Sequence, residues 1–122
     1  MQNKSSILIA LAVVLAAGVG PVVAAENAKA KELTGRDVVF DRSKGNCLTC
    51  HAIPSDPEAE APGNAALPFV AMKGRFPDRD KLRAKIWDAS KTNPNTLMPP
   101  FGKHQLLTEH EIDLVTDYVQ GL

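Results

Sequence analysis

The two cysteines of this 122-residue chain lie three positions apart, and a histidine follows the second of them directly. The segment runs Cys47-Leu48-Thr49-Cys50-His51, which is the C-x-x-C-H pattern of covalent haem attachment. Two thiols at this spacing can add to the two vinyl groups of one haem, and the adjacent imidazole is then presented to the iron. The pattern therefore predicts one covalently bound haem c, attached at Cys47 and Cys50 and ligated by His51.

Three other interpretations of the segment remain open at this point: a redox dithiol of the thioredoxin type, half of a zinc site, or a structural disulfide. A redox dithiol occurs in a βαβ context, which the sequence does not indicate. A zinc site needs two further ligands, and the remaining histidines, His104 and His110, are six positions apart, which misses the usual spacing of a histidine pair. Haem attachment is therefore favoured.

A second axial ligand must come from another part of the chain. The candidates are Met72, Met98, His104 and His110. Met98 is favoured because it lies in Leu97-Met98-Pro99-Pro100-Phe101-Gly102, where two prolines stiffen a loop that can hold a flexible thioether against iron. Met72 is expected to fill the core or the crevice wall, and His110 is assigned no role. Ligation by His104 would instead produce a bis-histidine centre of lower potential. With both axial positions filled by protein, electron transfer is the expected output.

The first half of the chain predicts one short helix and one long loop. Val38, Val39 and Phe40 form an apolar block between Gly35 and Lys44, which favours a short helix that ends near Gly45. The segment 53–68 contains four prolines, so it is expected to be a loop.

The second half predicts two helices. Asp78 is a candidate N-cap, and Leu82, Ile86 and Ala89 share one face of a helix that is expected to end at Asn93-Pro94. The last helix has a capping box from Thr108 to Glu111 and a stop at Gly121. Its buried side chains should be Ile112, Val115 and Val119, flanked by Tyr118.

No segment alternates with a period of two, so the predicted fold class is all-α, with short helices and long loops. Loops of this length are unusual in so small a domain, and a core of this size is marginal without a staple. A haem resolves both difficulties, because its macrocycle becomes the centre of the core and the loops become the walls of its crevice.

Residues 1–25 have the features of a secretory signal peptide: Lys4, an apolar run over 7–19, and small residues before Glu26. The alternative is an uncleaved membrane anchor, but the run is shorter than the roughly 20 residues of a bilayer span. We expect cleavage after Ala24 or Ala25, a periplasmic protein with no membrane anchor, an N-terminal arm at 26–34 and a cytochrome domain at 35–122. The 14 basic and 14 acidic residues cancel, and nothing predicts nucleic-acid binding.

A basic stretch runs from Lys73 to Lys85 and contains six lysines and arginines against Asp78 and Asp80. One end could approach the haem propionates, and the stretch could steer an acidic redox partner. It could equally be a solvated helix face. Trp87, one residue beyond the apolar face of this helix, is expected to be a core or interface plug.

Four segments of the chain resemble the SoxX family, the monohaem cytochrome subunits of thiosulfate-oxidising SoxAX complexes. The first three are Gly45-Asn46-Cys47-Leu48-Thr49-Cys50-His51-Ala52-Ile53-Pro54, Met72-Lys73-Gly74-Arg75-Phe76-Pro77-Asp78-Arg79 and Ile86-Trp87-Asp88-Ala89. The fourth, Asn93-Pro94-Asn95-Thr96-Leu97-Met98-Pro99-Pro100-Phe101-Gly102, is long and specific. The haem motif alone would match any cytochrome c.

The resemblance implies a class I cytochrome c fold, a periplasmic location and a heterodimer with a SoxA subunit, which carries its own haem and the candidate catalytic cysteine. It also implies an enzyme complex, an L-cysteine S-thiosulfotransferase, which joins thiosulfate oxidatively to a cysteine of the SoxYZ carrier and passes electrons to a downstream cytochrome. His51 and Met98 would be the axial ligands. Two alternatives are a free-standing periplasmic electron carrier to a terminal oxidase, and a haemless binding module stabilised by a disulfide or zinc.

Overall fold

The computed structural model describes residues 31–122, which form one compact unit. The predicted signal peptide at 1–25 and most of the predicted arm lie outside these residues. The described part contains six helical elements and no strand, which confirms the all-α prediction. They are α1 (Gly35–Phe40), a 3-10 helix (Cys47–Thr49), α2 (Met72–Arg75), α3 (Arg79–Trp87), a second 3-10 helix (Ala89–Lys91) and α4 (Glu109–Gln120). No helix within residues 31–122 has the length and apolar character to cross a membrane.

Helix α1 begins at a capping box that joins Thr34 and Asp37. It ends at Phe40, so only the first part of the interval predicted as helical, 35–44, is helix. The reason is local: the Asp41 carboxylate accepts hydrogen bonds from both the backbone N–H and the hydroxyl of Ser43, at 2.7 and 2.6 Å. These bonds favour a turn over a further helical turn.

Helix α4 matches its prediction closely. The Thr108 side chain accepts from the Glu111 backbone N–H at 3.2 Å, and the Glu111 carboxylate accepts from the Thr108 backbone N–H at 2.9 Å. The helix ends before Gly121. Ile112, Val115 and Val119 are all at most 2% exposed, which confirms them as the buried face.

Helices α1 and α4 cross at very close range at Gly35. An ideal Cβ added there would lie 2.0 Å from the carbonyl oxygen of Leu114 and 2.7 Å from Cβ of Tyr118. Only a residue without a side chain allows this approach. The close crossing buries Val38 and Val39 completely.

Helix α3 begins where predicted, since the Asp78 side chain accepts from the backbone N–H groups of Asp80 and Lys81. Leu82 and Ile86 are buried, and so is Ala89. The predicted end at Asn93-Pro94 is wrong: the helix ends at Trp87, and Ala89 lies in the second 3-10 helix. The reason is Asp88, whose carboxylate caps that 3-10 helix by accepting from the Ser90 N–H at 3.1 Å. Helix α2 was not predicted from the sequence.

The segment 53–68, the proline-rich loop, is attached to α1 through Asp56. The Arg36 guanidinium donates to both oxygens of the Asp56 carboxylate, at 2.7 and 3.0 Å, and to Glu58 at 2.8 Å. The Tyr118 hydroxyl reaches Asp56 from α4 at 3.3 Å. One carboxylate therefore joins the loop to both helices of the close crossing.

We expect acid to weaken this attachment. The hydrogen bonds from Arg36 lower the pKa of Asp56 from 3.8 to about 2. A group whose pKa is lower in the folded than in the unfolded state contributes stability above its unfolded pKa, and this contribution is lost as the pH falls through the folded pKa. Denaturant unfolding at several pH values should therefore show a loss of stability between about pH 4 and about pH 2. This loss should be smaller in Asp56→Asn, whereas substitution of the exposed Asp80 by asparagine should leave the slope unchanged. Equal slopes in wild type and Asp56→Asn would contradict the prediction.

Candidate functional site

A cavity of about 750 Å³ opens between the first 3-10 helix and the loop that carries Met98. Much of its wall is apolar and belongs to the hydrophobic core, including Phe69, Met72, Ile86 and Val115. Its volume is within the range of about 300 to 1,000 Å³ that is typical of cofactor sites. Among the described residues, the charged side chains that line it are all basic: Arg42, Lys44, Arg75 and Lys85. The site is therefore an apolar crevice with a cationic surround.

Cys47, Cys50 and His51 all line this cavity. Asn46, which precedes them, adopts a left-handed conformation with φ 47° and starts a single 3-10 turn. The backbone N–H groups of Cys50 and His51 both donate to the Cys47 carbonyl oxygen, at 3.1 and 2.9 Å. This tight turn brings the three side chains of the motif to one cavity. Both cysteine side chains are partly buried.

The orientation of His51 is determined by the loop that follows it. Its Nδ1 lies 2.6 Å from the carbonyl oxygen of Leu67, which requires Nδ1 to carry the proton and to donate. Its ring stacks on Phe69 with the centroids 4.3 Å apart and the planes 20° from parallel. With Nδ1 engaged as a donor, Nε2 is the nitrogen with a lone pair for a metal. Sequence reasoning missed Leu67, because a backbone carbonyl leaves no signature in residue type.

The proline-rich loop packs directly on the cysteine segment. Backbone N–H groups of Gly63, Ala66 and Phe69 donate to the carbonyls of Leu48, Cys50 and Ala52, at 2.8, 3.0 and 2.8 Å. At Gly63 the two backbones are so close that an added Cβ would lie 1.8 Å from the Thr49 carbonyl oxygen. The loop is therefore hydrogen-bonded to the cysteine segment along its backbone, and its Leu67 carbonyl restrains the His51 ring.

Of the four candidates for a second axial ligand, the two methionines line the cavity and the two histidines do not. Met98 is partly buried, and its backbone N–H donates to the Thr96 hydroxyl at 3.1 Å. Met72 is 3% exposed and forms part of the core, with its sulfur 3.2 Å from an Arg75 nitrogen. His104 and His110 are exposed. These positions favour Met98 over His104, and the ligand assignment itself stays a prediction.

Two of the alternatives for the cysteine segment fit the site poorly. Among residues 31–122, no group of three histidine, cysteine or acidic side chains is placed to hold a metal ion. Burial raises the pKa of the Cys47 thiol to about 11, whereas the attacking cysteine of a redox dithiol has a lowered pKa. The lack of a metal-binding group within residues 31–122 disfavours a zinc site, and the raised pKa of Cys47 disfavours a thioredoxin-like centre.

The basic stretch from Lys73 to Lys85 divides between two environments. Arg79 donates to Asp117 at 2.5 Å, and Arg83 donates to Asp113 at 2.7 Å, so both arginines tie α3 to α4. Arg75 and Lys85 line the cavity, where they could approach the propionate groups of the predicted haem. Trp87 is partly buried against the core. Two of the six basic residues therefore tie α3 to α4, and two others line the cavity.

The residues present fit a covalently bound haem. The crevice supplies two thiols for attachment, the thioether of a methionine on a separate loop, and an imidazole whose Nδ1 is held by a hydrogen bond. Its walls are apolar, and its basic side chains could pair with the propionate groups of a haem. A hard-metal site would need a cluster of carboxylates, and none of the residues within 31–122 that line the cavity is acidic. The donor set is therefore compatible with the covalent haem of a c-type cytochrome.

No protein-family model matches the chain, and no curated protein matches it. Among solved structures it is similar to the crystal structure of SoxXA from P. pantotrophus, with a TM-score of 0.64 and 24% sequence identity. The similarity covers 70% of this chain and 77% of that chain. It confirms the predicted fold, an all-α class I cytochrome c fold with short helices and long loops.

Proposed function

We propose that the protein is a monohaem c-type cytochrome that transfers electrons. The observation that carries this proposal is one cavity that is lined by Cys47, Cys50, His51 and Met98 together. Met98 follows Cys47 by 51 positions in the sequence, so the fold brings the two segments to one site. Cys47 and Cys50 would hold the haem through thioether bonds, and His51 and Met98 would ligate its iron. A haem so held supplies reversible one-electron chemistry.

The surrounding residues would keep the site suited to electron transfer rather than catalysis at iron. Leu67 holds His51 through Nδ1, which fixes the ring and strengthens Nε2 as a ligand. Ligation by methionine opposite histidine raises the reduction potential. With both axial positions taken, no substrate would reach the metal.

We further place the protein in a SoxAX-type complex, as the subunit that receives electrons while thiosulfate is joined to a cysteine of a SoxYZ-type carrier. Two findings support this assignment: the four sequence segments that resemble SoxX, and the similarity in fold to a chain of SoxXA. The only two cysteines of the chain are those of the haem motif. The catalytic cysteine would therefore belong to a SoxA-type partner, the complex would reside in the periplasm, and a downstream cytochrome would accept the electrons.

A free-standing electron carrier is the second candidate. The described residues that line the crevice include four basic and no acidic side chains, which would suit transient docking to an acidic redox partner. Both candidates have the same haem site, so they differ only in partner and in electron donor.

Purification of the tagged chain from its native periplasm separates the two candidates. Under the SoxAX proposal, a cytochrome with a free or modified cysteine co-purifies in stoichiometric amount, and thiosulfate plus the carrier protein reduces the haem. The matched control is the same chain stripped of that partner, which should not be reduced. A lone haem protein that thiosulfate does not reduce under any of these conditions would contradict the complex and leave the free carrier. Absence of a pyridine haemochrome spectrum would contradict both.

A further inference from the structure

Asp88 is the most deeply buried charged side chain whose role the haem site does not explain. The residue is 2% exposed. Its Oδ1 accepts from the Ser90 backbone N–H at 3.1 Å and from the Ser90 hydroxyl. Its Oδ2 has no hydrogen-bond partner among the described residues, and faces the Lys103 ammonium at 3.4 Å. A carboxylate buried in this way costs stability unless it is compensated.

The two oxygens of Asp88 face the two ends of the Met98 loop. On the upstream side, Oδ1 caps the 3-10 helix Ala89–Lys91, and the Asn93 backbone N–H donates to the Ala89 carbonyl at 3.0 Å as the chain leaves that helix. On the downstream side, Oδ2 faces Lys103, which follows the loop. One carboxylate therefore connects both stems of the segment 92–102.

The backbone beside Asp88 strengthens the downstream connection. The Trp87 carbonyl accepts from the backbone N–H groups of Gly102 and Lys103, at 3.1 and 3.3 Å. Gly102 lies so close to the indole that an added Cβ would be 2.2 Å from the ring. Between these anchored stems, Met98 packs against the hydrophobic core and Phe101 belongs to it, whereas Leu97 is 87% exposed. The position of Met98 thus depends on its own packing and on the two stems.

We propose that Asp88 is a positioning residue that holds both stems of the Met98 loop and so keeps the thioether at the crevice. This inference rests on the proposed function, in which Met98 is an axial ligand. Release of either stem would allow the loop to move away, and an external ligand could then compete for the iron. Asp88 itself does not line the cavity, so it would act only through the loop.

The test uses the holo-protein in its ferric state, with imidazole as the competing ligand. Asp88→Ala should raise the apparent imidazole affinity about tenfold, which is the range expected for loss of a buried charged hydrogen-bonding group. The same variant should weaken the methionine-to-iron charge-transfer band. Lys103→Gln removes only the ion pair with Asp88 and keeps the backbone hydrogen bonds of the downstream stem, so it should change both readouts in the same direction by about threefold. Lys103 is 55% exposed, so this variant should fold even if Asp88→Ala does not accumulate.

Asp80→Asn and Lys91→Gln are the matched controls, because both side chains are exposed on neighbouring elements. Neither should change imidazole affinity. Wild-type affinity in Lys103→Gln and in every folded Asp88 variant, even with lowered thermal stability, would overturn the positioning role. Met98→Ala reports separately on the proposed function. If it leaves the band unchanged, Met98 is not the ligand, and the positioning role of Asp88 fails together with the assigned ligand pair. A covalent haem that is still seen by the pyridine haemochrome assay would leave the electron-transfer function standing.

Discussion

The double variant Cys47→Ser/Cys50→Ser should carry no covalent haem and should lose cooperative unfolding. Eight side chains of the hydrophobic core also line the cavity: Phe69, Met72, Leu82, Ile86, Phe101, Leu107, Val115 and Val119. Without a macrocycle in the crevice, these side chains would border an unfilled cavity of about 750 Å³ and would lose their packing contacts with the macrocycle. The cost of leaving so large an apolar cavity empty is comparable with the roughly 5 to 15 kcal/mol that is the whole stability of a typical domain.

Circular dichroism during thermal unfolding, together with a pyridine haemochrome assay, would measure both effects. Thr49→Ser is a suitable control, because it changes an exposed residue between the two cysteines and leaves the attachment pattern intact. It should keep the haem and the wild-type transition. A haem-free double variant that remained helical with a sharp transition would show that the core is complete without the cofactor.

The second large effect is expected at the crossing of α1 and α4, where Gly35→Ala should destabilise the protein. The new methyl group would lie 2.0 Å from the Leu114 carbonyl oxygen, which is backbone and cannot rotate away. The helices would have to separate, and overpacking of this kind typically costs about 1 to 3 kcal/mol and occasionally more. Helix propensity alone predicts the opposite sign, because alanine is favoured over glycine by roughly 0.5 to 1 kcal/mol.

Gly74→Ala provides the matched comparison, since Gly74 lies in α2 and an added Cβ would meet no heavy atom within 4 Å. Denaturant unfolding should show a small stabilisation for Gly74→Ala and a clear loss for Gly35→Ala. The haem spectrum of both folded variants should be that of wild type, because neither residue lines the cavity. If the two substitutions had equal effects, close packing at Gly35 would not be important for stability.

Several predictions from the sequence were confirmed because they depend on residues that are close together in the chain. The capping box of Thr108 and Glu111 and the N-cap at Asp78 each join residues two or three positions apart. The side chains expected on the buried faces of α3 and α4 are buried. The all-α class followed from helical spacing and from the lack of any alternating segment.

Other features depended on contacts between distant residues, which leave no pattern in a single sequence. Helix α3 ends at Trp87 because the Asp88 carboxylate caps the next helix, and no proline marks that position. Arg79 and Arg83, which the sequence could only describe as part of a basic stretch, pair with acids of α4 that lie 38 and 30 positions later.

The sequence by itself determined the chemistry of this protein: which thiols, which imidazole and which thioether are available, and the class of helical fold that holds them. Those properties reside in residue type and short-range spacing. Only the tertiary structure determined how these side chains are positioned and oriented at the cavity. The Leu67 carbonyl fixes His51, Gly35 sets the helix crossing, and Asp88 connects the stems of the Met98 loop. Each of these depends on a distance across the fold, and a backbone carbonyl or a missing side chain has no identity that sequence alone could reveal.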